Sequence, residues 1–280
     1  LDTGGTMHAS VDDSGRLLTD DDFAYAVDTT GRRVVFASIT LKAPDLSVQV
    51  YEHDRGGPDS APPTIIAPPV PQFVAGRPVD DQQIGVQVGY WAHDEHGVCV
   101  HDLQRSVGGG PWLEVPLADP SRITANSSLA TGGATTFRVR ATDCLGHVSG
   151  FSAGPPTLPD VAQENAGAID YSSGWTTQSA GLAMGGARRV SSTAGAWARY
   201  TFTASSVAWI ADRGPAFGKV KVYLDGRLIR RVGLFASSNQ APRVMFAFTW
   251  PASGPHRLRI VSLGTTGHPG ANVDAFASLS

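Results

Sequence analysis

The residues best suited to chemistry sit on one alternating run, AWARYTFT at 196–203. Trp197, Arg199, Thr201 and Thr203 fall on one face, and Ala196, Ala198, Tyr200 and Phe202 on the other, as the period of an extended strand requires. An indole beside a guanidinium and hydroxyls suits a sugar. The aromatic face stacks on the C–H face of the ring, and the polar groups fix its hydroxyls. Tyr171, Trp175 and Trp250 offer further aromatic faces, although a large aromatic is more often core than platform. A second cluster is basic. Lys219 and Lys221 precede Asp225-Gly226, and Arg227, Arg230 and Arg231 follow it. On a hairpin these cations lie near one another and would form a patch for an anionic glycan or cell-surface polymer, weakened by salt. The expected ligand-binding residues are therefore Trp197, Arg199, Lys219, Lys221, Arg230 and Arg231.

Catalytic chemistry finds no comparable pattern. A hydrolytic triad needs a nucleophile singled out by its surroundings, and no S-x-x-K occurs. Paired glycosidase carboxylates cannot be nominated. After residue 163 the only acids are Glu164, Asp170, Asp212, Asp225 and Asp274, and Asp225 and Asp274 read as structural. No catalytic residue and no cofactor are expected. His93, Asp94, Glu95, His96, Asp143 and His147 could approach one another in two loops, but His93-x-x-His96 is not a helical zinc motif, and a solvated loop end is expected instead of a metal. The aspartates at 12, 13, 20, 21 and 22 lack the ligand spacing of a calcium loop and read as turns. No nucleic-acid recognition motif accompanies the basic residues.

These side chains need strands to position them. The organising element is 218–232, GKVKVYLDGRLIRRV, where Val220, Val222 and Leu224 alternate with Lys219, Lys221 and Tyr223. Asp-Gly predicts a two-residue type I′ turn, with a second strand from Leu228. Strands are also expected at 207–210, 244–250, 256–260 and 273–276. Upstream, 23–27, 33–40 and 46–51 read as three strands of a β segment at 1–53, whose strand–turn–strand rhythm resembles a propeller blade. Residues 54–72 are proline-rich and read as a semi-rigid linker.

Residues 73–157 resemble a fibronectin type III or immunoglobulin-like sandwich. Ile84, Val86, Val88 and Tyr90 alternate, 98–105 and 112–115 read as further strands, and FRVRATDCLGHVS at 137–149 is similar to the F–G segment of bacterial fibronectin-like repeats. In that fold the strands carrying Cys99 and Cys144, the only cysteines, are neighbours. The resemblance therefore implies a disulfide, worth roughly 4 kcal/mol for a loop of about 45 residues. It also implies an oxidising compartment. Residues 164–280, with GPAFGKVKVYLDG, GPHRLRI and VDAF, resemble the galactose-binding-like jelly roll of secreted bacterial proteins. That resemblance implies carbohydrate binding and expects the unit to fold by itself.

Composition agrees with an all-β chain of tandem sandwiches. Gly and Pro are abundant (32 and 19 of 280 residues) and no helical periodicity is sustained. No apolar run approaches the roughly 20 residues of a membrane span. The net charge of −3 conceals an asymmetry: residues 1–57 and 58–160 each carry −5, and residues 161–280 carry +7. The basic unit is therefore expected either to hold an anionic partner or to dock on its acidic neighbours. The reading is a secreted or cell-surface, non-catalytic module that binds glycan. The alternatives are a structural stalk or the accessory tail of a secreted hydrolase.

Overall fold

The computed structural model describes residues 60–280 in full and, before them, the backbone of three strands. These are β1 (Asp22–Val27), β2 (Arg33–Lys42) and β3 (Asp45–Asp54), paired antiparallel in the order β1-β2-β3. All three match the sequence expectation. The side chains of the aspartates at 12, 13, 20, 21 and 22 lie outside the described residues.

The middle unit is a sandwich of two antiparallel sheets. Its strands are β4 (Thr64–Phe73), β5 (Gln83–His93), β6 (Val98–Val107), β7 (Leu113–Glu114), β8 (Thr124–Ala130), β9 (Thr135–Asp143) and β10 (Ser152–Ala153). One sheet has the order β4-β5-β8, the other β10-β9-β6-β7. Alternation drives the packing. Ile84, Val86, Val88 and Tyr90 of β5 meet Leu103, Phe137 and Val139 of the facing sheet in one buried cluster. The expected linker at 54–72 needs correction here. Its second half is β4, paired with β5, because proline is tolerated on an edge strand where its missing N–H faces no partner. Two register shifts along β4, between Ile65 and Val70, accommodate the prolines.

The C-terminal unit contains β11 (Asp160–Gln163), β12 (Ile169–Tyr171), β13 (Thr176–Ser179), β14 (Ala187–Ser191), β15 (Trp197–Arg213), β16 (Lys219–Leu224), β17 (Arg227–Gly233), β18 (Gln240–Ser262), β19 (Ala271–Val273) and β20 (Ala275–Leu279). Its seven-stranded sheet runs β11-β20-β15-β18-β16-β17, with β12 also on β15, and β13-β14-β19 form a smaller sheet. The first strand, β11, lies before the expected boundary at 164. The strands expected at 207–210, 244–250 and 256–260 are not separate elements. They are parts of β15 and β18, which pair along most of their length. The core between the two sheets includes Tyr200, Phe202, Trp209, Phe246, Ile260 and Phe276.

A bulge in β15 reverses which side chains face that core. Before it, Ala198, Tyr200, Phe202 and Ala204 point inward; after the register shift between Ala204 and Ser206, Val207, Trp209 and Ala211 do. The outward face continues through Ala208 and Ile210. With Val244, Ala275, Ala277 and Leu279, these residues join the buried cluster of the middle sandwich. The two sandwiches therefore share a core. Backbone bonds tie them as well: Gly76 N–H donates to Val244 O at 2.7 Å, and Val244 N–H donates to Arg77 O at 2.9 Å. The expectation that the C-terminal unit folds by itself must be revised, because alone it would expose these apolar side chains to water.

Asp274 is fully buried beside this junction. Its Oδ2 accepts the Met184 N–H at 3.2 Å, while Oδ1 has no partner among the described residues. Burial pushes its pKa up to about 7; nearby Glu164 and Asp81 add to the rise, and the Met184 bond and Arg188 oppose it.

Candidate carbohydrate-binding face

The outward face of the seven-stranded sheet is open where the middle sandwich does not cover it. Register defines what lies there. Trp197 is opposite Val261, which is opposite Lys221, which is opposite Arg231. In the next row Asp170, Arg199, Arg259 and Tyr223 stand across four strands, and Thr201 faces Arg257. Side chains directly opposite one another share a face, so five of the six expected residues (Trp197, Arg199, Lys219, Lys221 and Arg231) lie on one surface.

Arg230 does not. It pairs with Val222, whose side chain is buried in the core, and alternation turns Arg230 to the opposite face from Arg231. Residues adjacent along a strand cannot both point one way. The sequence reading treated the hairpin's cations as one cluster, and the strand geometry splits them.

A groove of about 770 Å³ occupies this surface, lined in part by Trp197, Arg199, Thr201, His256, Arg257 and Arg259. Arg199 and Arg259 are directly opposed like charges, an arrangement that costs free energy unless neutralised. Arg199 is relieved by Asp170, at 2.7 Å, and its guanidinium lies 5.3 Å from the Trp197 ring centre. Arg259 sits 4.6 Å over the Tyr223 ring. Among the described residues neither Arg257 nor Arg259 has a carboxylate partner.

One wall of the groove is the hairpin turn. Asp225 and Gly226 take φ of 50° and 85°, the left-handed values a type I′ turn needs. The Asp225 carboxylate accepts the Arg257 N–H and faces His256 Nδ1, each at 2.8 Å. His256 in turn stacks on Trp250 with ring centres 3.7 Å apart. Asp225 is thus engaged in holding the turn to β18 and is not a free counter-ion for the arginines.

Of the aromatic candidates, Trp175 is core, and Tyr171 and Trp250 pack against the core. Trp197 alone of the four reaches the groove. Sequence reasoning missed Arg257 and Arg259. Their signal was the alternation in HRLRI, where Leu258 and Ile260 go inward and the arginines must go outward.

The middle sandwich carries the expected Cys99–Cys144 disulfide, with Cα atoms 5.0 Å apart. At that pole Asp143 holds the hairpin tip. Its Oδ1 accepts the backbone N–H groups of Leu145 and His147, and its Oδ2 faces His147 Nδ1 at 2.7 Å. Asp94 likewise accepts its own loop's His96 N–H. Among the described residues no three His, Cys, Asp or Glu side chains are grouped to hold a metal.

No protein-family model matches the sequence, and no curated protein matches it. Among solved structures, the chain is similar to the Agl-KA catalytic domain, with 14% identity, 43% of this chain and 27% of that one covered, and a TM-score of 0.31. It is similar to a xanthan lyase from Paenibacillus, with 10% identity, 92% and 25% covered, and a TM-score of 0.36. It is also similar to carbohydrate-binding modules of the β-sandwich superfamily, with 13% identity, 80% and 100% covered, and a TM-score of 0.28. The chain spans only 27% and 25% of the length of the first two.

Proposed function

We propose that this chain is a non-catalytic, extracellular glycan-binding protein whose open C-terminal sheet face holds an anionic polysaccharide. One observation carries the reading: Arg199, Arg257 and Arg259 converge on one groove beside Trp197, and the last two lack carboxylate partners among the described residues. Arg257 and Arg259, which lack carboxylates of their own, gain a charge-assisted partner when an acid group binds in the groove. Trp197 gives the sugar ring an apolar face.

Three acids of this unit, Asp170, Asp212 and Asp225, are engaged in structural contacts, which supports the non-catalytic reading. Asp170 pairs with Arg199, Asp212 with Arg188, Asp225 holds the turn, and Asp274 is buried. The disulfide supports an oxidising, extracellular setting. The three- and four-stranded sheets of the middle unit support its reading as a fibronectin-like module. Among the described residues no helix is long and apolar enough to cross a membrane. A second reading, a stiff structural stalk, is favoured by the core that the two sandwiches share.

Affinity electrophoresis in gels containing pectate tests the proposal. Retardation is expected at low salt, fading as salt screens the arginines over about 10 Å at 0.1 M. Arg257→Ala with Arg259→Ala should weaken it at least tenfold. No retardation by pectate at low salt would reject the anionic-glycan reading and leave the stalk.

A further inference from the structure

The middle sandwich carries a second hollow of different character, on the outward face of β4-β5-β8. Register sets its layout. Val70, Gly89 and Thr124 stand opposite one another in one row, and Gln72, Gln87 and Asn126 in the next. Trp91 follows Gly89 on the same face and is 50% exposed. Gly89 is therefore the floor of a depression with an indole and a valine on one side and three amides and a hydroxyl on the other.

The fold does not require glycine at 89. A Cβ there would meet nothing within 4 Å, and its φ is not left-handed. Gly85, two residues earlier, is the contrast: its Cβ would lie 2.8 Å from Pro78 O, because the 76–79 segment crosses directly above it. A strand-interior glycine costs about 0.5–1 kcal/mol. Where no protein atom fills the space above, it marks a place another molecule can approach closely.

The groups around the hollow are unspent. The side chains of Gln72, Gln87, Thr124 and Asn126 make no hydrogen bond among the described residues. Each amide offers both donors and an acceptor, which matches a ring of hydroxyls. The two charged residues lining the adjoining cavity, Arg122 and Asp119, pair at 3.3 Å. A cavity of about 390 Å³, lined by Gln87, Thr124, Asn126 and the 116–122 loop, opens beside it.

We infer that the hollow over Gly89 binds one residue of a neutral saccharide, with Trp91 against its C–H face and the amides on its hydroxyls. The site is independent of the arginine groove: it lies on the other sandwich, and its free polar groups carry no charge. The middle sandwich is then a second binding module and not a spacer.

The full chain should be run in gels containing laminarin, galactomannan, arabinogalactan or xylan, with pectate alongside. At least one neutral polymer should retard the wild type. Gly89→Val fills the hollow with a side chain suited to a strand, so the melting temperature should hold or rise while neutral-polymer affinity falls at least tenfold. Trp91→Ala, at an exposed position, should give the same loss. Neither variant should alter retardation by pectate, and Arg257→Ala with Arg259→Ala should do the reverse. The inference is overturned if none of the four neutral polymers retards the wild type, or if retardation survives both Gly89→Val and Trp91→Ala. Those outcomes leave the arginine groove untouched, since pectate reports on it separately.

Discussion

Along β15, the outward side chains of the first half (Trp197, Arg199, Thr201 and Thr203) face solvent or the groove, while those of the second (Ala208 and Ile210) are buried under the middle sandwich. The backbone is one strand in one sheet, so the difference lies in what covers it. In the first half, alternation reads apolar-polar because one face is wet. In the second, VAWIAD is buried on both faces, and so is AFASL of β20. A strand with two dry faces loses its alternation. The comparison teaches that apolar continuity in this chain marks a junction between sandwiches, and alternation marks a surface free to bind.

The largest test strikes the covered half. Ile210→Asp would bury an unpaired carboxylate between the two sandwiches and should cost about 3–5 kcal/mol. Calorimetry should show the main transition lowered by more than 10 °C or split in two. A near-wild-type melt would mean the sandwiches do not pack through this face. Expressing residues 158–280 without the middle sandwich makes the same point more bluntly, and aggregation is expected.

Next in size is the disulfide, which closes a separation of 45 residues. Cys99→Ser with Cys144→Ser should destabilise by roughly 4 kcal/mol, by loop entropy. Chemical denaturation should show the loss in the middle sandwich. It should also lower the C-terminal unit if the shared core couples them. Independent transitions would contradict that coupling.

Asp274 gives a smaller effect, specific to pH. Its folded pKa of about 7 lies above the ordinary carboxylate value of 3.8. Between the two the folded state holds the extra proton, so stability is highest below about pH 4 with respect to this group and falls as pH rises to about 7. The total is on the order of a few kcal/mol. Asp274→Asn should flatten that slope relative to wild type and raise the melting temperature at pH 8. An unchanged slope would place the carboxylate's charge elsewhere.

The smallest effect separates the two faces of the β16–β17 hairpin. Arg231→Ala should weaken pectate binding a few-fold, and Arg230→Ala should leave it unchanged, because the two point to opposite faces. Neither should move stability by more than about 0.5 kcal/mol. Equal losses from both would show that the hairpin twists enough to merge its two faces.

What sequence alone determined follows from short-range rules. Period-two alternation set the strands and their inward sets, so Ala198, Tyr200, Val220, Val222 and Phe137 were legible as core. Asp225-Gly226 set the hairpin, since few dipeptides accept two left-handed φ values in succession. Trp197 and Arg199 were legible as partners because they are two apart on one strand. Tertiary structure decided everything that depends on which strands become neighbours. It brought Arg257 and Arg259 beside Arg199, folded a proline-rich stretch into β4, and joined two sandwiches through one core. It also left Gly89 under open space while covering Gly85. Alternation reports that a face is dry or wet; which distant segment dries it is set by long-range pairing and packing, and no local pattern encodes that.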